Sequence, residues 1–505
     1  MIMPDVNAYS AAFQHPDLCL SDQSLKRCTI KTNPLGQPRV RSGGFALTYN
    51  LFNGTQNWAV RCFHKESPGR DIRYSAISRR LNAQDIRGSG YFVDFEYQPR
   101  GITINGTRFP IVKMAWATGE TMGSFLENQH EDRIALQNLR NSLASLSAFL
   151  HAHNIAHGDI QPGNVMVSDM GRKVQLIDYD GMFVDEISGL DAAEIGLPNF
   201  QHPERRTRTP WNVNLDNFSF IVIDIALAVL QDNPGYWDKT QSGDDKILFS
   251  AQDYSVPDAS SVFNELKRDG RYASLISKLQ NICRLPFDKV PRLDDFAAWQ
   301  PDTSVLRAQP DGVTTVSYIA NYPVVDALRV NDIAAQNGNK VEVIGCVVGV
   351  KMKNTGTNHP NHPNRPYCFV EFEAWHPGMD QSFRVIIWSE GLDKLAQRGI
   401  NDVDTYFKGK YVSIVGLVEK WETKIPAKTI PARGRWPART FPERIATAYS
   451  ICADGATFNF IDQTQADFRL GRIRQNLTVQ HVATVAAPSS RQTGNASILD
   501  RIRRI

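Results

Sequence analysis

Between His157 and Met182 the chain reads HGDIQPGNVMV, a short gap, then VQLIDYDGM. Asp159 and Asn164 stand five residues apart, and Asp178 follows fourteen residues later, at the end of an apolar run. Two short apolar stretches flank a polar reversal, so the pattern predicts a loop feeding a strand end. The loop carries an acid and an amide; the strand ends on a second acid. A base next to two hard-oxygen groups is a set that phosphate chemistry with a divalent cation needs.

The flanking segments have two different periods. Before this stretch, strand-like runs are predicted at Phe45–Leu51, Trp58–Phe63, Tyr91–Tyr97 and Phe109–Ala115. Asn53-Gly54 and Asn105-Gly106 read as turns, the second a good hairpin turn. One helix, Asp71–Leu81, interrupts the strands. After Ser124 the period becomes helical: Leu136, Leu139, Leu143, Leu146 and Leu150 alternate steps of three and four along one face. Helical character continues to about Trp299. This predicts a small β-rich lobe followed by a larger helical lobe.

Taken together, these features resemble the protein-kinase fold. By that resemblance Asp159 is the catalytic base, and Asn164 and Asp178 are catalytic-site metal ligands. RSGGFALTYNL, residues 41–51, resembles a glycine-rich loop in which Gly43 and Gly44 let backbone N–H groups approach phosphate. WAVRCF, residues 58–63, resembles the strand that carries the phosphate-binding cation. Phe200-Gln201-His202-Pro203-Glu204 resembles the end of an activation segment. Asp216 opens an apolar helix that would brace the catalytic loop, and Arg292 stands where a kinase places the arginine that pairs with Glu204. A hinge near Ala115–Ala117, with Met114 and Trp116 beside the nucleotide, is implied.

Three departures bear on activity. The strand carries Arg61 where a lysine is usual, and arginine is a planar fork instead of a point charge; Lys65, four residues on, is the alternative phosphate contact. Helix 71–81 has no glutamate, so the usual ion pair has no evident equivalent. The metal motif reads Asp178-Tyr179-Asp180, with Gly181 one place late. Gln161 and Gly158 also replace the usual lysine and arginine. These features resemble an atypical bacterial serine/threonine kinase subgroup. The base and both metal ligands are kept while the phosphate clamp is altered, which favours an active enzyme over a pseudokinase.

A second β-rich block begins near residue 333. Five strands are predicted, Lys340–Val350, Tyr367–Trp375, Ser382–Trp388, Lys410–Trp421 and Arg444–Cys452, with a helix at Gly391–Ala396. Their order resembles an OB-fold barrel. The loop from Lys424 to Arg439 carries Lys424, Lys428, Arg433, Arg435 and Arg439, no acid, and Trp436. Basic and aromatic residues together are what single-stranded nucleic acid binding uses; the competing reading is a solvated loop on a protein-docking module. From 465 onward there are seven arginines and two aspartates, and a short helix with an apolar stripe is expected over Ala496–Ile505.

The expected fold class is therefore α+β: a two-lobed protein-kinase-like fold plus a C-terminal all-β OB-like barrel. The divisions are an N-terminal extension (1–30), the kinase-like domain (31–302), a linker (303–332), the OB-like domain (333–470) and a flexible basic tail (471–505). The expected cofactors are ATP and Mg2+. The expected partners are a protein substrate acting through Ser or Thr, and single-stranded nucleic acid at the barrel, with no membrane. The longest apolar run, Phe218–Leu230, contains Asp224 and is well short of the ~20 residues that span a bilayer. Seven scattered cysteines without a CxxC pair, and no leader pattern at the N-terminus, predict reduced thiols and a cytoplasmic location. A net charge of +3 leaves any nucleic-acid preference to local patches.

Overall fold

Among the described residues, the sheet of the first lobe has six antiparallel strands; its four long ones are β1 (Ala46–Phe52), β2 (Asn57–Phe63), β3 (Phe95–Ile104) and β4 (Thr107–Ala115), in the order β1-β2-β4-β3, and the short strands Thr29–Ile30 and Val40–Ser42 pair with β1. The third strand lies later than Tyr91–Tyr97, because Tyr91 to Val93 run along the other lobe, where the Tyr91 carbonyl takes the Leu176 N–H. Asn105 and Gly106 both adopt positive φ, at 49° and 76°, and make the tight β3–β4 turn. The computed structural model describes residues 3–32, 38–42, 46–307, 312–356, 364–373, 381–425, 427–430, 439–453 and 458–479.

Period-two alternation gives this sheet two buried faces. On β2, Ala59 and Phe63 face the interlobe core, while Val60 and Cys62 face an outer core. Helix Arg70–Leu81 covers the inner face with Tyr74, Ile77 and Leu81. The N-terminal extension covers the outer one: Tyr9, Phe13, Leu20 and Leu25 are buried there, and the Tyr9 hydroxyl donates to the Phe63 carbonyl at 2.7 Å. Burying one such side chain stabilises by ~2 kcal/mol, so residues 3–28 form part of the lobe.

The second lobe is helical. Helix Arg133–Ala152 is capped by Asp132, whose carboxylate accepts from Ile134 N and Ala135 N, and it buries Leu136, Leu139, Leu143, Leu146 and Leu150 as its spacing predicts. It packs on the apolar helix Asn217–Asp232, a buried core helix. Asp224, the acid within that apolar run, is paired bidentately with Arg140 at 2.7 and 3.0 Å. Between these helices lies the hairpin of β5 (Val165–Ser168) and β6 (Lys173–Leu176). It holds the predicted loop and strand end.

The C-terminal block has two large sheets among the described residues, besides two-stranded ladders. One has the order Val324–Asp326, β7 (Lys340–Cys346), β11 (Tyr411–Leu417), Phe458–Ile461; the other contains β8 (Gly349–Asn354), β9 (Pro366–Glu371), β10 (Gln381–Ile387), β13 (Arg444–Ala453) and β12 (Glu419–Ile425), in that order. Two of the five predicted strands are therefore broken, at Val347–Val348 and at Val418, so that each contributes to both sheets. Two helices lie between β10 and β11: Ser389–Gln397, at the predicted place, and Val403–Phe407. Segments expected to be linker and free tail pair with each other: Gly312–Val316 and Gln475–Val479 form an antiparallel ladder.

Candidate functional site

Arg61 shares the inner face of β2 with Ala59 and Phe63, and the alternation carries its guanidinium into the interlobe core, 3% exposed. Such a charge needs partners. Its two terminal nitrogens divide between two carboxylates: Nη1 donates to Asp178 Oδ1 at 2.6 Å and Nη2 to Asp180 Oδ2 at 2.6 Å. Asp180 is 2% exposed and also accepts the hydroxyl of Tyr74, from helix Arg70–Leu81. The helix has no glutamate, and its one acid, Asp71, bonds to Arg70 and Tyr97; the carboxylate for Arg61 comes from the strand-end motif, and the helix contributes a tyrosine that braces it. Asp178 keeps a third of its side chain open to solvent and sits at φ +66°, a left-handed conformation held in place by its surroundings.

The loop before β5 brings Asp159 and Asn164 together. Asn164 Nδ2 donates to the Asp159 carboxylate at 2.9 Å, which turns its carbonyl oxygen away from that group. Asp159 also accepts from Gln161 Nε2 at 2.5 Å and from the Leu197 N–H at 2.9 Å. The loop backbone is held from below by Asp216, which accepts from His157 N at 2.5 Å and Gly158 N at 2.8 Å, and by the buried Arg205, which donates to the Gly158 carbonyl. Gly158 has φ +79°, and a Cβ there would lie 2.1 Å from the Gly181 carbonyl oxygen. The missing arginine at this position is therefore a requirement of packing between the loop and the strand-end motif.

Burial raises the Asp159 carboxyl above its ordinary value. Burial pushes Asp178 up too, but the Arg61 charge outweighs it and holds that carboxyl low. Asp180 is raised to about 6, chiefly by burial, with Arg61 pulling it down and Asp178 pushing it up. Glu194 is pushed well above the usual range by burial and by Asp180, Asp178 and Asp159. Asp178 and Asp180 share one guanidinium, and Asp159 and Glu194 lie close enough to feel their charge, so a divalent cation would favour the ionised carboxylates. Asn164 and Asp178 offer hard oxygens of the kind magnesium prefers. Among the described residues no three His, Cys, Asp or Glu side chains form a complete metal site, so such an ion would need phosphate or water oxygens as well.

Other sequence-derived candidates are placed as follows. Gly43 and Gly44 lie outside the described residues. Lys65 lies past the end of β2, exposed and within reach of Glu194. Met114 is buried on β4, and the Trp116 N–H donates to the Asn57 carbonyl at 3.0 Å. Arg292 does not pair with Glu204: it is exposed and bonded to Asp295 at 3.2 Å, whereas Glu204 accepts from the Phe287 N–H at 2.5 Å and Arg208 at 3.1 Å, with Arg307 at 3.5 Å. In the C-terminal block Lys424 is paired with Glu443 at 2.8 Å. Lys428 and Arg439 lie on two short strands paired with each other, and Arg433, Arg435 and Trp436 are outside the described residues. Phe372 is core, while Arg384 stacks over Phe369 at 4.0 Å.

The sequence reading missed Asp180, Tyr74, Glu194 and Leu197. A signal existed for the first: a motif with an extra aspartate beside a helix with no glutamate is a compensating pair of departures.

No protein-family model matches the chain. Parts of it are similar in sequence to serine/threonine protein kinases. The probable kinase mkcD of Dictyostelium discoideum is 37% identical over 73 residues, covering 14% of this chain and 11% of that protein. ULK3 of Rattus norvegicus is 25% identical over 211 residues, 37% of this chain and 42% of that protein. The chain spans less than half the length of these relatives. A solved structure of the Cydia pomonella granulovirus kinase PK-1 superposes with a TM-score of 0.31 at 13% identity, over 43% of this chain and 76% of that one.

Proposed function

We propose that the chain is a phosphotransferase that moves the γ-phosphoryl group of ATP to a serine or threonine of a protein. The observation that carries this reading is the Arg61 fork, which ties Asp178 and Asp180 together beside the Asp159–Asn164 loop. Asp159 accepts the proton of the attacking hydroxyl. Asn164 and Asp178 would hold magnesium, which would supply charge neutralisation for the transferred phosphoryl group. Arg61 orients Asp178, with Asp180 and Tyr74 keeping the fork from rotating. The raised position of Asp159 suits a base that works in a buried cleft.

The C-terminal block is read as an OB-like module that selects where the enzyme acts. Support comes from the two broken strands, which carry the chain from one sheet into the other, and from the parallel β10–β13 pair. Tyr367, Phe369, Arg384 and Trp388 form an aromatic and cationic surface on it. That surface suits single-stranded nucleic acid or a protein segment.

The direct test is incubation with γ-labelled ATP and magnesium, comparing the native chain with Asp178→Ala for label transfer and phosphate release. Transfer lost in the variant supports the reading. A second reading, a nucleotide-binding pseudokinase, is favoured by one observation: Asp159 is already engaged by Leu197, Gln161 and Asn164. Asp159→Ala separates the two. In the enzyme it abolishes transfer and spares nucleotide affinity; in the pseudokinase it changes neither.

A further inference from the structure

Leu197, whose N–H binds Asp159, leads into a single helical turn, Pro198–Phe200. The turn therefore begins one residue from a group that holds the Asp159 carboxylate. One donor of the turn is met by a distant segment, while the Asn199 carbonyl and Oδ1 accept from Tyr254 and Ala251. The Asn199 N–H donates to Asn321 Oδ1 at 3.3 Å, and Asn321 Nδ2 donates to the Asp245 carbonyl at 3.1 Å. Asn199 Nδ2 donates to the same carbonyl at 2.8 Å. Beside it the Tyr322 hydroxyl donates to Asp245 Oδ1 at 3.1 Å, and the ring packs on the interlobe core. Burial, Asp245 and then Asp159 push that hydroxyl well above its usual value, so the ring lies within electrostatic reach of the base.

The same segment is tied to the C-terminal block. Lys340, the first residue of β7, donates to the Tyr322 hydroxyl oxygen at 2.9 Å and lies 4.5 Å from the ring centroid. Tyr318 donates to the buried Glu342 at 3.1 Å, and Glu342 also accepts from Ser413 and Arg469. A second bridge, Arg398 to Glu127 at 2.7 Å, joins the helix Ser389–Gln397 to the helix Met122–Gln129.

We propose that residues 317–323 are an internal occupant of the groove through which an extended acceptor peptide reaches Asp159, and that the C-terminal block gates the groove by holding them there. This rests on the phosphotransferase reading above. The Asn321 carboxamide meets one donor and one acceptor, the Asn199 N–H and the Asp245 carbonyl, which is what one backbone amide of an extended peptide offers. The acceptor class is therefore an unstructured peptide segment whose main chain replaces that carboxamide. Movement of the block pulls on Tyr318 and Tyr322 together, so a partner bound to the block opens the groove.

The test uses the full chain and two variants: Asn321→Ala with Tyr322→Phe, and Lys340→Ala, which leaves both linker side chains in place. Two readouts are taken, hydrogen exchange at the Asn199 amide and transfer of labelled phosphate from magnesium-ATP to dephosphorylated casein. The double variant loses both contacts of Asn321 and the bond from Tyr322 to the Asp245 carboxylate, which predicts a rise of at least about tenfold in both readouts; Lys340→Ala loses one contact and predicts a smaller rise, about fivefold. The KM for ATP stays unchanged. A peptide of sequence TVSYIANYPVV, residues 315–325, added in trans reverses both effects in the double variant. Unchanged exchange in both variants overturns the proposal, as does raised exchange without faster transfer in protein whose native form transfers phosphate. If exchange rises and the peptide reverses it, but no form transfers phosphate, occupancy of the groove stands and the phosphotransferase reading fails.

Discussion

Replacing Asp180 by asparagine should damage nucleotide handling while leaving the protein as stable as before, or more so. Asp180 is 2% exposed and its carboxyl is raised from 3.8 to about 6. Holding it ionised at pH 7 therefore costs on the order of 3 kcal/mol, since each unit is about 1.4 kcal/mol. A carboxamide of the same shape escapes that cost. It can accept from Arg61 through its oxygen and turn its NH2 toward the Tyr74 hydroxyl oxygen. Arg61 is not orphaned, because Asp178 stays at 2.6 Å. The expected stability change is between zero and about +3 kcal/mol, a melting temperature unchanged or raised by up to ~3 °C for a chain of 505 residues. Function moves the other way. The bond from Arg61 is kept but loses the carboxylate charge, ~1.5 kcal/mol, so magnesium-ATP affinity or transfer falls by about 10-fold. The assays are scanning calorimetry, titration with a fluorescent ATP analogue, and labelled phosphate transfer. A melting temperature lowered by more than ~5 °C with unchanged affinity and transfer would make the Arg61–Asp180 pair a structural brace and refute the reasoning.

The remaining predictions concern pH and packing. If ionised Asp180 is required, transfer rises with pH through a limb near pH 6, and Tyr74→Phe moves that limb upward because the tyrosine hydroxyl lowers the Asp180 value; persistence of the limb in Asp180→Asn sinks the assignment. Stability runs in the opposite sense: the folded state holds the Asp180 proton more tightly, so its contribution is fully present below pH ~3.8 and is lost as pH rises to about 6, which melting curves across that window detect. Gly158→Ala destabilises by at least ~3 kcal/mol, because a left-handed residue would gain a Cβ 2.1 Å from a backbone oxygen; denaturant unfolding reads the loss. Arg292→Ala changes stability by less than ~0.5 kcal/mol, as expected for an exposed ion pair, whereas Glu204→Gln costs ~1–3 kcal/mol by weakening contacts to Phe287 and Arg208.

Much of the architecture could be read in the chain because it is written locally. The leucine face of Arg133–Ala152, the Asn105-Gly106 turn and the alternation of β2 follow from periods and steric rules that act over a few residues. The spacing of Asp159, Asn164 and Asp178 is of the same kind, since one loop and one hairpin bring the first two together and set the third on the strand end. Less legible was the N-terminal extension, whose short helices carry apolar residues that gain meaning only against the outer face of the sheet. The two C-terminal strands gave no sign of the breaks at Val347–Val348 and Val418, because a corner between sheets leaves the alternation on either side intact.

Partner choice was decided only in three dimensions. Arg61 pairs with Asp180, 119 residues away, and Glu204 pairs with Arg208 and the Phe287 backbone while Arg292 turns to solvent. Linker residue Asn321 meets the turn beside Asp159, and Tyr322 meets Asp245, for the same reason. A buried charge or donor takes whichever complementary group packing brings within about 3 Å, because leaving it unpaired costs more than any preference written in the neighbouring sequence. By itself the sequence determined which side chains had to find partners in the cleft; the packing of sheet, loop and linker decided which ones they found.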